Sequence, residues 1–159
     1  MKRLFALILL LIAIANADAQ TTSLCFTNRG WTADVSLYFN IYPESSDLRI
    51  RISETNTDLD VCFSNKPIAN SINVELCKRT DEADKSIYIA ATQFGSDKRI
   101  YYTTDLQTSD LNTKYLVLGF PDKPSSSTKN IYIKGVDHHT LTLEQKISIL
   151  YSLGLITAE

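Results

Sequence analysis

The stretch Ala33-Asp34-Val35-Ser36-Leu37-Tyr38-Phe39-Asn40-Ile41 alternates apolar and polar residues without a break. Side chains along a β-strand point to opposite faces in turn, so this period of two predicts a strand with one greasy face. The pattern recurs outward from there. Leu48, Ile50 and Ile52 alternate with Arg49, Arg51 and Ser53. Leu59, Val61 and Phe63 alternate with Asp60, Cys62 and Ser64. Ile72, Val74 and Leu76 follow, then runs starting at Ile87, Ile100, Tyr115 and Asn130. The first of these ends near Phe94, and the last two extend to Phe120 and Val136. Eight strand-like runs result, each separated by polar or turn-forming residues such as Pro43–Asp47, Thr55–Thr57, Thr80–Asp84 and Gly95–Asp97. Links this short predict neighbouring strands that pair in sequence, antiparallel.

The period changes near the carboxy terminus. Leu143, Ile147, Leu150 and Leu153 recur at helical spacing, Thr142 and Gln145 have capping-box spacing, and Gly154 marks a stop. A helix is predicted over about 142–153, lying against the outside of the sheet.

Residues 1–19 read as a signal peptide. Lys2 and Arg3 precede an uncharged run from Leu4 to Ala15, and Ala17-Asp18-Ala19 supplies a small-x-small cleavage site. The run is too short for a stable transmembrane span. The expectation is a secreted, extracellular protein whose residues 20–159 form one domain. The net charge of −2 is small and well mixed, which gives no electrostatic reason to bind nucleic acid.

The three cysteines are Cys25, Cys62 and Cys77. Export favours a disulfide and leaves one thiol over. Spacing favours Cys62–Cys77 across a hairpin, leaving Cys25 free or pairing a dimer. The rival pairing ties Cys25 to one of the other two.

Eight sequential antiparallel strands have two outlets, a closed up-and-down barrel or a sandwich. Gly30-Trp31, Thr104-Asp105 with Tyr115, and Ile131-Tyr132-Ile133-Lys134 ahead of the helical segment resemble the motifs of the lipocalins. These are secreted eight-stranded barrels with a carboxy-terminal helix. The spacer between Gly30 and Trp31 is missing, Leu106 replaces a Tyr, and Lys134 stands where that family has Arg. The resemblance implies that Trp31 closes the barrel floor with Lys134 over its ring.

Chemistry of other kinds is sparse. His138 and His139 are the only histidines. On an extended segment they would point to opposite sides, so two solvated loop histidines are expected and no metal site. There is no Gly-x-Ser-x-Gly, no His-Glu-x-x-His and no glycine-rich phosphate loop, so neither an enzyme nor a cofactor is expected. A barrel interior lined by Val35, Leu37, Phe39, Ile50, Ile52, Phe63, Val74, Ile87, Ile89 and Tyr101 (or Tyr102) would take a small hydrophobic, lipid-like molecule. The alternative is a packed interior and an interaction or inhibitor module working through its loops, with Thr80–Asp84 and Pro121–Ser127 as candidates.

Overall fold

The computed structural model describes residues 20–105 and 114–158, so the expected signal peptide lies outside the described residues. The described residues form nine strands: β1 (Thr21–Thr27), β2 (Val35–Asn40), β3 (Leu48–Ile52), β4 (Leu59–Ser64), β5 (Ile72–Leu76), β6 (Lys85–Ala90), β7 (Lys98–Thr103), β8 (Leu116–Gly119) and β9 (Lys129–Lys134). Among the described residues one α-helix, α1 (Leu143–Ser152), follows. The eight expected runs are strands, but β1 lay outside them, and Gly30-Trp31 begins a 3-10 turn after β1 rather than a strand.

The strands close into a barrel in the order β1-β5-β9-β4-β8-β3-β7-β2-β6, and every pairing is parallel. This corrects the eight-stranded antiparallel up-and-down barrel. Each strand lands two places round from the one before it. Nine places visited in steps of two are all filled after two laps, so the second lap (β6–β9) occupies the gaps left by the first (β1–β5). Because nine is odd, β1 and β5 are the one neighbouring pair from the same lap.

Parallel strands ordinarily need a crossover of a dozen or more residues. Here tilt removes that need. Following the register once round the barrel advances the chain by about 18 residues, two per strand, which tilts the strands by roughly 54° and gives a radius of about 12 Å. A steeply tilted strand carries the chain sideways as it climbs. Its link then has only to drop about 10 Å, almost straight down the outer wall. The links therefore act as straps across the strand in between. The turn Gly30–Thr32 packs on β6, Pro43–Ser45 on β7 and Thr80–Glu82 on β1. The straps explain why outward-facing Cys25, Ser36 and Ser86 are buried.

Aspartates fasten the straps at their lower ends. Asp34 donates its backbone N–H to the Ser86 carbonyl at 3.1 Å and accepts the Ser86 N–H on its carboxylate at 2.7 Å. Asp47 does the same with Arg99, Asp58 with Val117, Asp84 with Ser23 and Asp97 with Ser36. In each case the carboxylate takes the place of a ladder carbonyl, so the N–H it accepts from is not stranded at the lower rim.

The two-residue step sorts the inward side chains into three rings. The middle ring is Leu24, Leu37, Ile50, Val61, Val74, Ile87, Ile100, Leu118 and Ile131, and every one has zero exposure. Most of these follow one another at intervals of 13 residues, so the fold is an internal repeat. The upper ring, where the strands end, holds Phe39, Phe63, Tyr102 and Phe120. The lower ring holds Val35, Leu48 and Leu59, with Lys85, Lys98 and Lys129.

The helix fills the space inside the rings, not the outer surface. Tyr102, on the inner face at the upper rim, donates its hydroxyl to Glu144 in the first turn of α1. Lys85, on the inner face at the lower rim, donates to the Ser152 carbonyl at the other end at 2.8 Å. Four successive residues, Ile147, Ser148, Ile149 and Leu150, have zero exposure, which no one-sided helix achieves. Ten residues of helix span about 15 Å, enough to run through three rings. The buried serines are satisfied within the helix, Ser148 donating to the Glu144 carbonyl and Ser152 to the Ser148 carbonyl. Thr142 and Gln145 form the expected capping box. Gly154, at φ +69°, ends the helix, with Gly154 and Leu155 donating to the carbonyls of Tyr151 and Leu150.

Candidate binding surface

The residues expected to line a ligand cavity are on the inner face, except Tyr101. Val35, Leu37, Phe39, Ile50, Ile52, Phe63, Val74, Ile87 and Ile89 belong to the same core as α1 or share its face of the strands. Tyr101 points outward and lies against Tyr115, ring centroids 6.3 Å apart. Tyr102 takes the inward position. Its hydroxyl pKa is pushed up to about 12, first by the hydrogen bond to Glu144, then by burial and by the carboxylate charge. Burial works to raise the Glu144 pKa, but the Tyr102 hydroxyl and nearby helix donors hold it below its usual range. The interior thus contains a neutral phenol, a carboxylate and a packed helix.

Trp31 does not close a floor. It sits in the Gly30–Thr32 turn and is 85% exposed. Lys134 is on the surface, 3.4 Å from Glu75. Cys62 and Cys77 do not pair, because β9 runs between β4 and β5, and the three cysteines are unbonded in this structure. Cys25 is buried beneath the Thr80–Glu82 strap, so it is not presented to a second molecule. The segment holding the two histidines is a 3-10 turn, not extended, and brings their rings together with centroids 3.9 Å apart. Asp137 lies beside them, with donor atoms of the three residues within 4.8 Å. The Asp137 carboxylate already accepts from the Asn65 side chain and the His139 N–H. Burial, then the charges of His139 and Lys146, lower the His138 pKa.

What the outer surface offers is apolar. Phe94 is 84% exposed, Ile41 71% and Tyr42 56%. With Trp31 they stand on three consecutive straps: residues 28–34 over β6, 91–97 over β2 and 41–47 over β7. Neighbouring straps are about 8 Å apart at the wall. Phe94 lines a hollow with Gln93, Ser96, Asp47 and Arg99, which ties two of these straps into one surface. The Arg99–Asp47 ion pair at 3.0 Å forms its floor and keeps the Asp47 carboxyl below its usual range. A second, larger groove of about 530 Å³ opens at the lower rim between Leu48, Leu116 and the segment after α1, Leu155–Thr157.

The alternation in the sequence hid this patch. Ile41 and Phe94 read as the ends of strands, when both stand on straps beyond the last strand residues, Asn40 and Ala90. Their position against the 13-residue spacing was the available signal, since Trp31 and Phe94 each precede a strap-fastening aspartate by three residues. Comparison with protein-family models, with curated proteins and with solved structures finds no match for this chain.

Proposed function

We propose that this chain is a secreted binding module that works through its outer straps around a solid interior. The observation that carries this reading is the strip Trp31–Phe94–Ile41–Tyr42, four large apolar side chains more than half exposed on adjacent straps. Aromatic residues grouped on a surface are the side chains that dominate protein interfaces, and an apolar group of this kind marks an interaction site. The closed barrel has no free strand edge, so a partner meets side chains rather than adding a strand. The polar hollow beside Phe94 supplies the rim, with Arg99 and Asp47 able to orient what the aromatics hold.

The carrier reading has less support, because a lipid-like ligand inside the barrel would have to displace α1 from the middle ring. The test is a pair of measurements on protein from its natural source. Chemical cross-linking is expected to trap a protein partner, and Trp31→Ala with Phe94→Ala is expected to abolish trapping without lowering the melting temperature. A stoichiometric lipid released on denaturation, with trapping unaffected by the double substitution, would overturn the proposal.

A further inference from the structure

We infer that Cys25 and Cys77 form a disulfide across the β1–β5 seam, covalently closing the first lap of the barrel. Leu24 and Leu76 are partners in the β1–β5 register, and the Cys77 N–H donates to the Leu24 carbonyl at 2.8 Å. This bond completes the Leu24–Leu76 pair at the end of the ladder, and the next residue on each chain in the same register is Cys25 beside Cys77. Both follow a middle- or upper-ring residue and so both face outward. Parallel neighbours stand about 4.8 Å apart, inside the range of roughly 4.4–6.8 Å that a disulfide spans between Cα atoms.

The surroundings fit this chemistry. The Thr80–Glu82 strap folds over the two sulfurs, with the Cys77 thiol donating to the Glu82 carbonyl at 3.6 Å. Burial raises the Cys25 thiol pKa, and the neighbouring Cys77 raises it further, as expected of two sulfurs lying close together. Cys62 has no such neighbour, since β5 and β9 separate its strand from β1, and β9 separates it from β5.

The bond forms by exchange with a small oxidised disulfide. The half-buried Cys77 thiolate attacks one sulfur of that molecule and expels one thiolate, leaving a mixed disulfide. Cys25 then attacks the Cys77 sulfur and releases the second. Two protein thiols lose two electrons, the small disulfide gains them, and both protons go to its two thiol products.

The seam gives the bond its significance. It is the one place where strands of the same lap touch, so no strand of the second lap locks it from both sides. A link there makes residues 25–77 a covalent ring into whose gaps β6–β9 fit.

The full mature chain, held in a buffer of oxidised and reduced glutathione, tests the proposal. The oxidised chain is expected to lose about 2 Da. Non-reducing peptide mapping is expected to join the Cys25 and Cys77 peptides, with Cys62 alkylated. Cys62→Ser is expected to keep the mass loss and Cys77→Ser to abolish it. The oxidised protein should melt roughly 10 °C higher, a gain that a reductant removes. Three alkylatable thiols after oxidation of the folded protein, or a map that places Cys62 in the bridge, would overturn the inference. This readout is independent of partner trapping, so the two proposals fail separately.

Discussion

A helix threaded through a barrel and a helix lying on one respond oppositely to two substitutions in α1. Ile149→Ala removes three buried carbons from a residue with zero exposure. At about 0.8 kcal/mol for each, the lost transfer energy is about 2.4 kcal/mol. The barrel wall is a closed hydrogen-bonded ring and relaxes little into the gap, so a cavity term of about 1 kcal/mol adds to this, for about 3.5 kcal/mol in all. In a folded domain of this size that lowers the melting temperature by roughly 10 °C. Ser148→Leu replaces a poor helix former with a good one and would stabilise a helix lying on the surface. Inside the rings it has no space and leaves only an added clash, so it is expected to cost about 1–3 kcal/mol. Urea unfolding followed by far-ultraviolet circular dichroism measures both, with an unchanged denaturant slope showing that the same surface unfolds. A cost below about 0.5 kcal/mol for both variants would refute a threaded helix.

Three further outcomes follow from the ends of the helix and the straps. The folded Tyr102 pKa of about 12 lies above the value near 10 of an unfolded chain, so its contribution is complete below pH 10 and lost as pH rises through 12. Urea midpoints should fall over that window, and Tyr102→Phe should flatten the fall. Lys85→Met removes a cation from the carbonyl end of α1 and should cost about 0.5–1 kcal/mol in the same assay, less at high salt. Asp34 and Asp47 have lowered pKa values, through the Ser86 N–H and hydroxyl and through the Arg99 guanidinium respectively. Their contribution is present above about pH 4 and lost as pH falls through the folded values, so Asp47→Asn should make acid unfolding less steep. A pH profile identical to that of the unaltered chain would contradict this last expectation.

Period-two alternation marks the inward face within the strands, though not where they end at Ile41 and Phe94, because a strand's pleat is local and needs no knowledge of its partners. The capping box at Thr142 and the stop at Gly154 were legible for the same reason. Pairing was not. Links such as 41–47 are short enough for hairpins, and only the steep tilt shared by nine strands makes them long enough to join parallel neighbours. Tilt belongs to the closed ring, not to any segment of it. Besides the 13-residue spacing, the sequence signal of that ring is the recurrence of Asp34, Asp47, Asp58, Asp84 and Asp97 immediately ahead of β2, β3, β4, β6 and β7, which turn composition disguises as ordinary loop polarity. Tyr101 and Tyr102 show the limit of local reading, since adjacent tyrosines give no register until β7 meets β2 and β3.

The helix follows from the same arithmetic that places the strands. After β9 a further step of two would return the chain to the place already held by β1. No tenth strand can enter, and a ring about 12 Å in radius is too wide for aliphatic side chains alone to meet at its axis. An empty centre would leave the nine middle-ring residues without partner atoms on one side, forfeiting dispersion and burial together. The chain therefore turns at Asp137–Thr140 and sends a helix of matching length down the axis. Its apolar residues meet the middle ring, and its charged first turn meets the phenol at the mouth. The wide barrel and the solid interior are one solution. On the function proposed above, recognition then falls to the outer wall, where the straps hold Trp31 and Phe94 clear of the core.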